Sequence, residues 1–204
     1  MRFWLIEKNL KKRFFVFSII LIMVTAFAPN QSKSESEKYV EMSKGKLNAP
    51  IIFVEYASLT CSHCAAFHTN VFPELNRDYI EKGLLRFVHR EVYFDKAGLW
   101  ASLTARCTNA VNRYFGMLDL LYSEQASWSR FESSDEIVER LLKISAKSGI
   151  DKGKAIACLE DQEKALSLVE KMKINVKQDD IESTPTFVIN GKKYSNRPYE
   201  ELKD

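Results

Sequence analysis

Apolar and polar residues fall in blocks along the 204-residue chain, and the spacing inside each block predicts an element. Residues 14–28 are an unbroken apolar run of about 15, short of the ~20 that a membrane-spanning helix requires. The polar stretch Asn30–Lys38 predicts a flexible tether. "APIIFVEYAS", 49–58, is β-branched and aromatic, the make-up of a buried strand. From Cys61 to Lys82 apolar residues recur at three- and four-residue steps, among them Ala65, Phe67, Val71, Phe72, Leu75 and Tyr79. That predicts a helix, kinked at Pro73 and stopped at Gly83. "LLRFVHREVYF", 84–94, predicts a second strand, so the chain begins its folded part as strand, helix, strand. If those strands are parallel, a right-handed crossover joins them.

Residues 96–178 carry almost no strand signal. "GLWASLTARCTNAVNRYFGMLDLLYSEQASW" predicts one or two helices. Ser133 and Glu136 make a capping box ahead of a further helix that Gly149 closes. Asp151 opens a short segment carrying Cys158, and "DQEKALSLVEKMKINV" is amphipathic. Strand character returns at "TPTFVINGKKY", where Asn190-Gly191 signals a two-residue hairpin turn. "RPYEELKD" starts a last helix with Pro198 near its first turn. The predicted architecture is α/β: a mixed sheet of βαβ and ββα halves with a helical block inserted between them.

Charge changes this picture at the N-terminus. Residues 1–28 hold five basic residues and one acid, and without them the 30 basic and 27 acidic residues fall to 25 and 26. The remainder is too nearly neutral to suggest a nucleic-acid partner. A basic start, an apolar run and the small residues of "TAFA" have the form of a secretory signal, which predicts export. A cut after Ala28 would leave Pro29 first, and a cut after Ala26 is the alternative; left uncut, the segment would serve as an anchor. The domain organisation this predicts is a signal at 1–28, a flexible segment at 29–45, a first fold half at 46–95, a helical insert at 96–178 and a second half at 179–204.

Export bears on the four cysteines, Cys61, Cys64, Cys107 and Cys158, because thiols pair in oxidising compartments. Three connectivities are open. Cys61-Ser-His-Cys64 stands where the first strand gives way to the helix. A helix N-terminus carries about half a positive charge and free N–H groups, which stabilise a thiolate there. Cys61 is then the exposed low-pKa nucleophile and Cys64, a turn deeper, the resolving thiol. His63 between them adds positive charge or a hydrogen bond. Zinc would want a second ligand pair, which neither the two separated cysteines nor His68 and His89 supply by spacing. Haem attachment needs histidine where Ala65 stands. Copper handling and inert buried thiols are the remaining alternatives, and no metal or cofactor is expected.

"FVEYASLTCSHCAAFH" taken with "STPTFVINGKKY" resembles the DsbA-like thiol:disulfide oxidoreductases of the thioredoxin fold, over roughly Lys46 to Asp204. The resemblance implies a thioredoxin-like fold with an inserted helical domain. It implies that Pro185 is the cis-proline facing the Cys61–Cys64 redox disulfide, and that substrate chains pair with the backbone beside it. Thr184 precedes that proline and would tune the sulfur through its hydroxyl. Glu55 matches the acidic residue beneath the active site, a proton acceptor for the buried cysteine. Relatives carry a second disulfide in the insert, which implies a structural Cys107–Cys158 bond. His68 reads as a helix-surface residue and His89 as a strand residue with a structural hydrogen bond.

The function implied is an exported, periplasmic protein-disulfide oxidoreductase acting on unfolded or partly folded cysteine-containing polypeptides. A DsbB-like, quinone-linked membrane oxidase would re-oxidise it. A reductase or isomerase of the same fold is the alternative: threonine before the proline is common among isomerases, while the short stretch between leader and first strand lacks room for their dimerisation segment. A non-catalytic metal-handling protein is the alternative from another class.

Overall fold

Five strands among the described residues form one sheet in the order β1-β3-β2-β4-β5. They are β1 (Met42–Lys44), β2 (Ile51–Ala57), β3 (Leu85–Glu91), β4 (Thr186–Ile189) and β5 (Lys192–Ser195). The computed structural model describes residues 39–108, 110–130 and 133–203. The leader, 1–28, and the tether, 30–38, lie outside the described residues. No helix among the described residues is long and apolar enough to cross a membrane.

Strands β2 and β3 are parallel, as the strand–helix–strand pattern predicts, and β4 and β5 run antiparallel beside them. The hairpin turn places Asn190 and Gly191 at φ 47° and 84°, both positive, the conformation this residue pair favours. Asn190 also ties the turn to the centre of the sheet: its Oδ1 accepts from the Ile52 N–H at 2.9 Å. Strand β1 corrects the reading of residues 29–45 as wholly flexible, since Met42–Lys44 pair antiparallel with β3. Three residues are too few to show a period-2 pattern. Gly45, φ 105°, ends that strand where an added Cβ would lie 2.4 Å from the Leu85 carbonyl oxygen.

The predicted helix over 61–82 is real but broken. It runs as α1 (Ser62–Asn70), α2 (Phe72–Leu75) and a π-helical turn (Asn76–Ile80). Pro73 lies in the first turn of α2, where its missing N–H costs nothing.

The insert contains α3 (Lys96–Ala105), α4 (Val111–Ser123), α5 (Gln125–Trp128), α6 (Ser134–Lys147), α7 (Lys152–Leu159) and α8 (Gln162–Gln178). Asp95, Asp151 and Asp161 cap α3, α7 and α8 by accepting an N–H three residues on. Ser133 caps α6 as its sequence predicts, though through Asp135 rather than Glu136. A short helix, α9 (Tyr199–Leu202), follows β5.

The two sheet faces are filled differently. Val54, Tyr56, Val88 and Val188 turn to one side, under Met172 and Val176 of α8. Phe53, Ala57, Phe87 and Phe187 turn to the other. There they join one continuous core with Tyr114, Leu118, Leu121 and Trp128 of the insert. The insert is therefore packed onto the sheet through a shared apolar core. The structure joins Cys107 to Cys158 in a disulfide with Cα atoms 5.5 Å apart, tying the end of α3 to α7.

Candidate active site

The Cys61–Cys64 pair stands where β2 ends and α1 begins. After Ala57 the chain turns, with the Cys61 N–H bonded to the Ser58 carbonyl at 3.1 Å. Cys61 is the N-cap of α1, its φ and ψ of −82° and 120° extended rather than helical. Its carbonyl accepts the first intrahelical bond, from Ala65. Cys64, one turn on, is fully buried, while Cys61 is half-buried. Both are thiols in this structure, the reduced form of the pair.

The two sulfurs are electrostatically unlike. The Cys61 pKa falls to about 5, chiefly through a hydrogen bond from the Cys64 thiol, then through Thr184 and the N–H groups of Cys64 and His63. Partial burial of Cys61 opposes this and is outweighed. Cys64 moves upward, mainly because burial disfavours its charge, with the Cys61 hydrogen bond and the nearby Glu55 carboxylate adding to it. At neutral pH the pair thus holds one thiolate, on the accessible sulfur, and one thiol beneath it.

Thr184-Pro185 is a cis peptide, with Pro185 buried. The Thr184 carbonyl lies 3.5 Å from Cys61 Sγ and accepts from it only while that sulfur is protonated; the Thr184 side chain, rather than this carbonyl, favours the thiolate. Residues more than a hundred positions apart are thus brought together. The His63 side chain is exposed, and its backbone N–H is among the groups that lower the Cys61 pKa.

Below the pair lies a buried polar cluster. Glu55 projects from the middle of β2, in register with His89 on one side and Phe187 on the other. Its Oε2 is 2.7 Å from His68 Nε2, and both side chains are buried. This corrects the reading of His68 as a surface residue. His68 follows Cys64 by four positions, so it shares the inward face of α1. His89 behaves as read, buried and hydrogen-bonded, its Nδ1 2.6 Å from the Tyr114 hydroxyl and its Nε2 3.3 Å from that of Tyr122. Tyr114 donates onward to Glu91 at 3.0 Å, and Arg106 forms a two-pronged pair with Glu91 at 2.5 and 2.7 Å. Glu55, His68 and His89 offer metal-ligand atoms within 4.8 Å of one another. Glu55 Oε2 and His68 Nε2 bond to each other, and both His89 nitrogens bond to tyrosine hydroxyls.

Two further residues hold the active-site loop, and sequence reasoning missed them. Gln125 Nε2 donates to the carbonyls of Leu59 and Cys61. Asp95 accepts from Thr60 Oγ1 at 2.8 Å while capping α3 with its other oxygen. The N-cap role of Asp95 had a local signal; a glutamine bonding across 64 positions has none.

Known proteins are similar to this chain in sequence and fold. The family model described as "Thioredoxin" matches residues 37–204. A Rickettsia bellii protein named "Putative protein-disulfide oxidoreductase" is 32% identical over 156 residues, 76% of this chain and 59% of the relative. Disulfide bond formation protein D of Bacillus subtilis is 26% identical over 166 residues, 78% of this chain and 72% of the relative. The crystal structure of Wolbachia pipientis alpha-DsbA1 superposes with a TM-score of 0.74 at 27% identity, covering 80% of this chain and 87% of that one. The chain spans less than two thirds of the length of the Rickettsia relatives it matches. The chain belongs to the thioredoxin family, and its fold is that of a DsbA-like protein.

Proposed function

We propose that this chain is an exported protein-disulfide oxidoreductase that introduces disulfides into cysteine-containing polypeptides through Cys61 and Cys64. The observation that carries the reading is the asymmetry of the two sulfurs: Cys61 accessible with its pKa pulled down to about 5, Cys64 buried with its pKa raised. A stabilised Cys61 thiolate stabilises the reduced pair, which makes the disulfide a stronger oxidant and Cys61 a good leaving group.

In the oxidised protein a substrate thiolate attacks Cys61 Sγ. The Cys61–Cys64 bond breaks, its electron pair leaves on Cys64, and a mixed disulfide joins substrate to Cys61. A second substrate thiolate attacks the substrate sulfur of that bond and expels the Cys61 thiolate. The substrate has lost two electrons and the protein has gained them. Thr184 and Pro185, against Cys61, form the docking edge for the extended substrate. Glu55 lies close enough to Cys64 to affect its ionisation and is the proton acceptor when Cys64 next attacks. Cys107–Cys158 is structural. We place the protein in the periplasm and assign its re-oxidation to a DsbB-like, quinone-linked membrane partner.

Isomerisation is the second reading, favoured by Thr184 beside the sulfur. The test is the reduction potential of the Cys61/Cys64 pair, equilibrated against glutathione, together with oxidative refolding of a reduced substrate protein. A potential well above the roughly −270 mV of thioredoxin with fast substrate oxidation is expected. A thioredoxin-like potential would refute the oxidase. Cys61→Ser abolishes exchange, and Cys64→Ser accumulates mixed disulfides with substrate; their absence would reverse the assignment of roles.

A further inference from the structure

Cys64 and His68 stand four residues apart on α1, both buried and both turned toward Glu55 on β2. His68 Nε2 and Glu55 Oε2 bond at 2.7 Å, yet Glu55 Oε1 and His68 Nδ1 remain buried without a partner. Buried polar atoms left open are costly and uncommon. Two in one hydrogen-bonded pair mark a place where a proton has somewhere to go.

The groups facing this pair narrow what can exchange a proton with Cys64. From β3 comes His89, which burial pushes down to about 3, so it is neutral across the working range. From α4 comes Tyr122, stacked on the His68 ring at 4.3 Å between centroids, its phenol driven well above its usual value by burial. Asp119, also on α4, has its pKa raised by burial and interacts with both His68 and Lys44 of β1. Strand β4 presents only the Phe187 ring, in register with Glu55. His89 and Tyr122 keep one charge state near neutrality, and the hydrogen-bonded carboxylate beneath Cys64 is Glu55, held by His68.

We propose that His68 is a positioning residue for the thiol exchange: it holds the Glu55 carboxylate beneath Cys64 and shares its proton, so that the Glu55–His68 pair is the proton reservoir of the buried cysteine. The inference rests on the oxidoreductase reading above. When the Cys61–Cys64 bond breaks, its electron pair comes to Cys64 Sγ, which takes a proton from the pair; the pair regains one from solvent. When Cys64 attacks a mixed disulfide on Cys61, its thiol proton passes to the pair, and the departing thiolate carries away the electron pair of the broken bond.

The test uses the full chain with glutathione disulfide-linked to Cys61 and follows glutathione release by Cys64 from pH 5 to 9. Four forms are compared: wild type, Glu55→Gln, His68→Gln and His68→Phe. Glu55→Gln slows release ~100-fold, the lower end of what a positioned base contributes. His68→Gln keeps a donor to Glu55, so it retains most of the plateau rate but changes the shape of the pH profile. His68→Phe changes the profile and loses the plateau rate as well. A His68→Gln profile that superimposes on wild type overturns the proposal, and this variant carries the test even if His68→Phe fails to fold. If wild type itself releases no glutathione, the oxidoreductase reading falls instead.

Discussion

Gln125 in the helical insert donates one side-chain amide to two carbonyls of the active-site loop, Leu59 at 2.8 Å and Cys61 at 3.0 Å. Through this contact the insert holds the N-terminus of α1, and with it the amide groups that stabilise the Cys61 sulfur. Gln125→Leu strips the Leu59 carbonyl of its partner and leaves the Cys61 carbonyl only its bond from Ala65. The expected loss is about 1–3 kcal/mol for the one carbonyl left unpaired, read from chemical denaturation. Because the loop loosens, Cys61 alkylation at pH 6 slows as well. Unchanged alkylation would show that the sulfur environment is independent of the insert.

The depressed Cys61 pKa has a pH signature. Alkylation of the reduced protein follows the thiolate, so the rate rises through a midpoint near pH 5 and is flat by pH 7, with Cys64 silent. The folded-state pKa lies below the unfolded one. Cys61 therefore stabilises the reduced fold fully above the unfolded value, and that stability disappears as pH falls through about 5. Reduced wild type should gain stability over reduced Cys61→Ser between pH 5 and 9. A flat difference would contradict the thiolate assignment.

Cys107 and Cys158 close a loop of 51 residues. Removing the bond by a Cys107→Ser/Cys158→Ser double variant should cost about 4 kcal/mol by the chain-entropy argument, measured as a fall in the denaturation midpoint. The exchange chemistry of Cys61 should survive, since these sulfurs take no part in it.

Arg106 and Glu91 form a buried ion pair with two hydrogen bonds, and a third Arg106 bond reaches the Val40 carbonyl at 2.7 Å. Arg106→Met leaves the Glu91 charge buried and unpaired. A loss of about 3–5 kcal/mol is expected. The double variant Arg106→Met/Glu91→Leu should recover much of it, which a double-mutant cycle would measure.

Much of this was legible in one dimension because it depends on local chemistry. The β-branched run of β2, the helical spacing after Cys61, the turn-forming Asn190-Gly191 and the caps at Ser133 and Asp151 each sit within a few residues of what they control. The CSHC motif at a strand–helix junction, joined with Thr184-Pro185, was enough to identify the family. Strand β1 escaped because three residues show no period; it forms only because β3 offers an edge to pair with.

The chain alone thus dictated its elements and placed Cys61 at a helix start, since propensity, capping and turn geometry act over a turn or two. Tertiary structure decided the surroundings of that sulfur. His68 is polar, and nothing in its spacing separates a solvated histidine from one against a strand carboxylate; the packing of α1 onto β2 turned it inward. Gln125 acquired its role only when the insert closed over the loop. Contacts between residues far apart in sequence exist only once a shared core has formed, and it is these contacts that bury Cys64 and raise its pKa, while the Cys61 thiolate is held mainly by its own helix start.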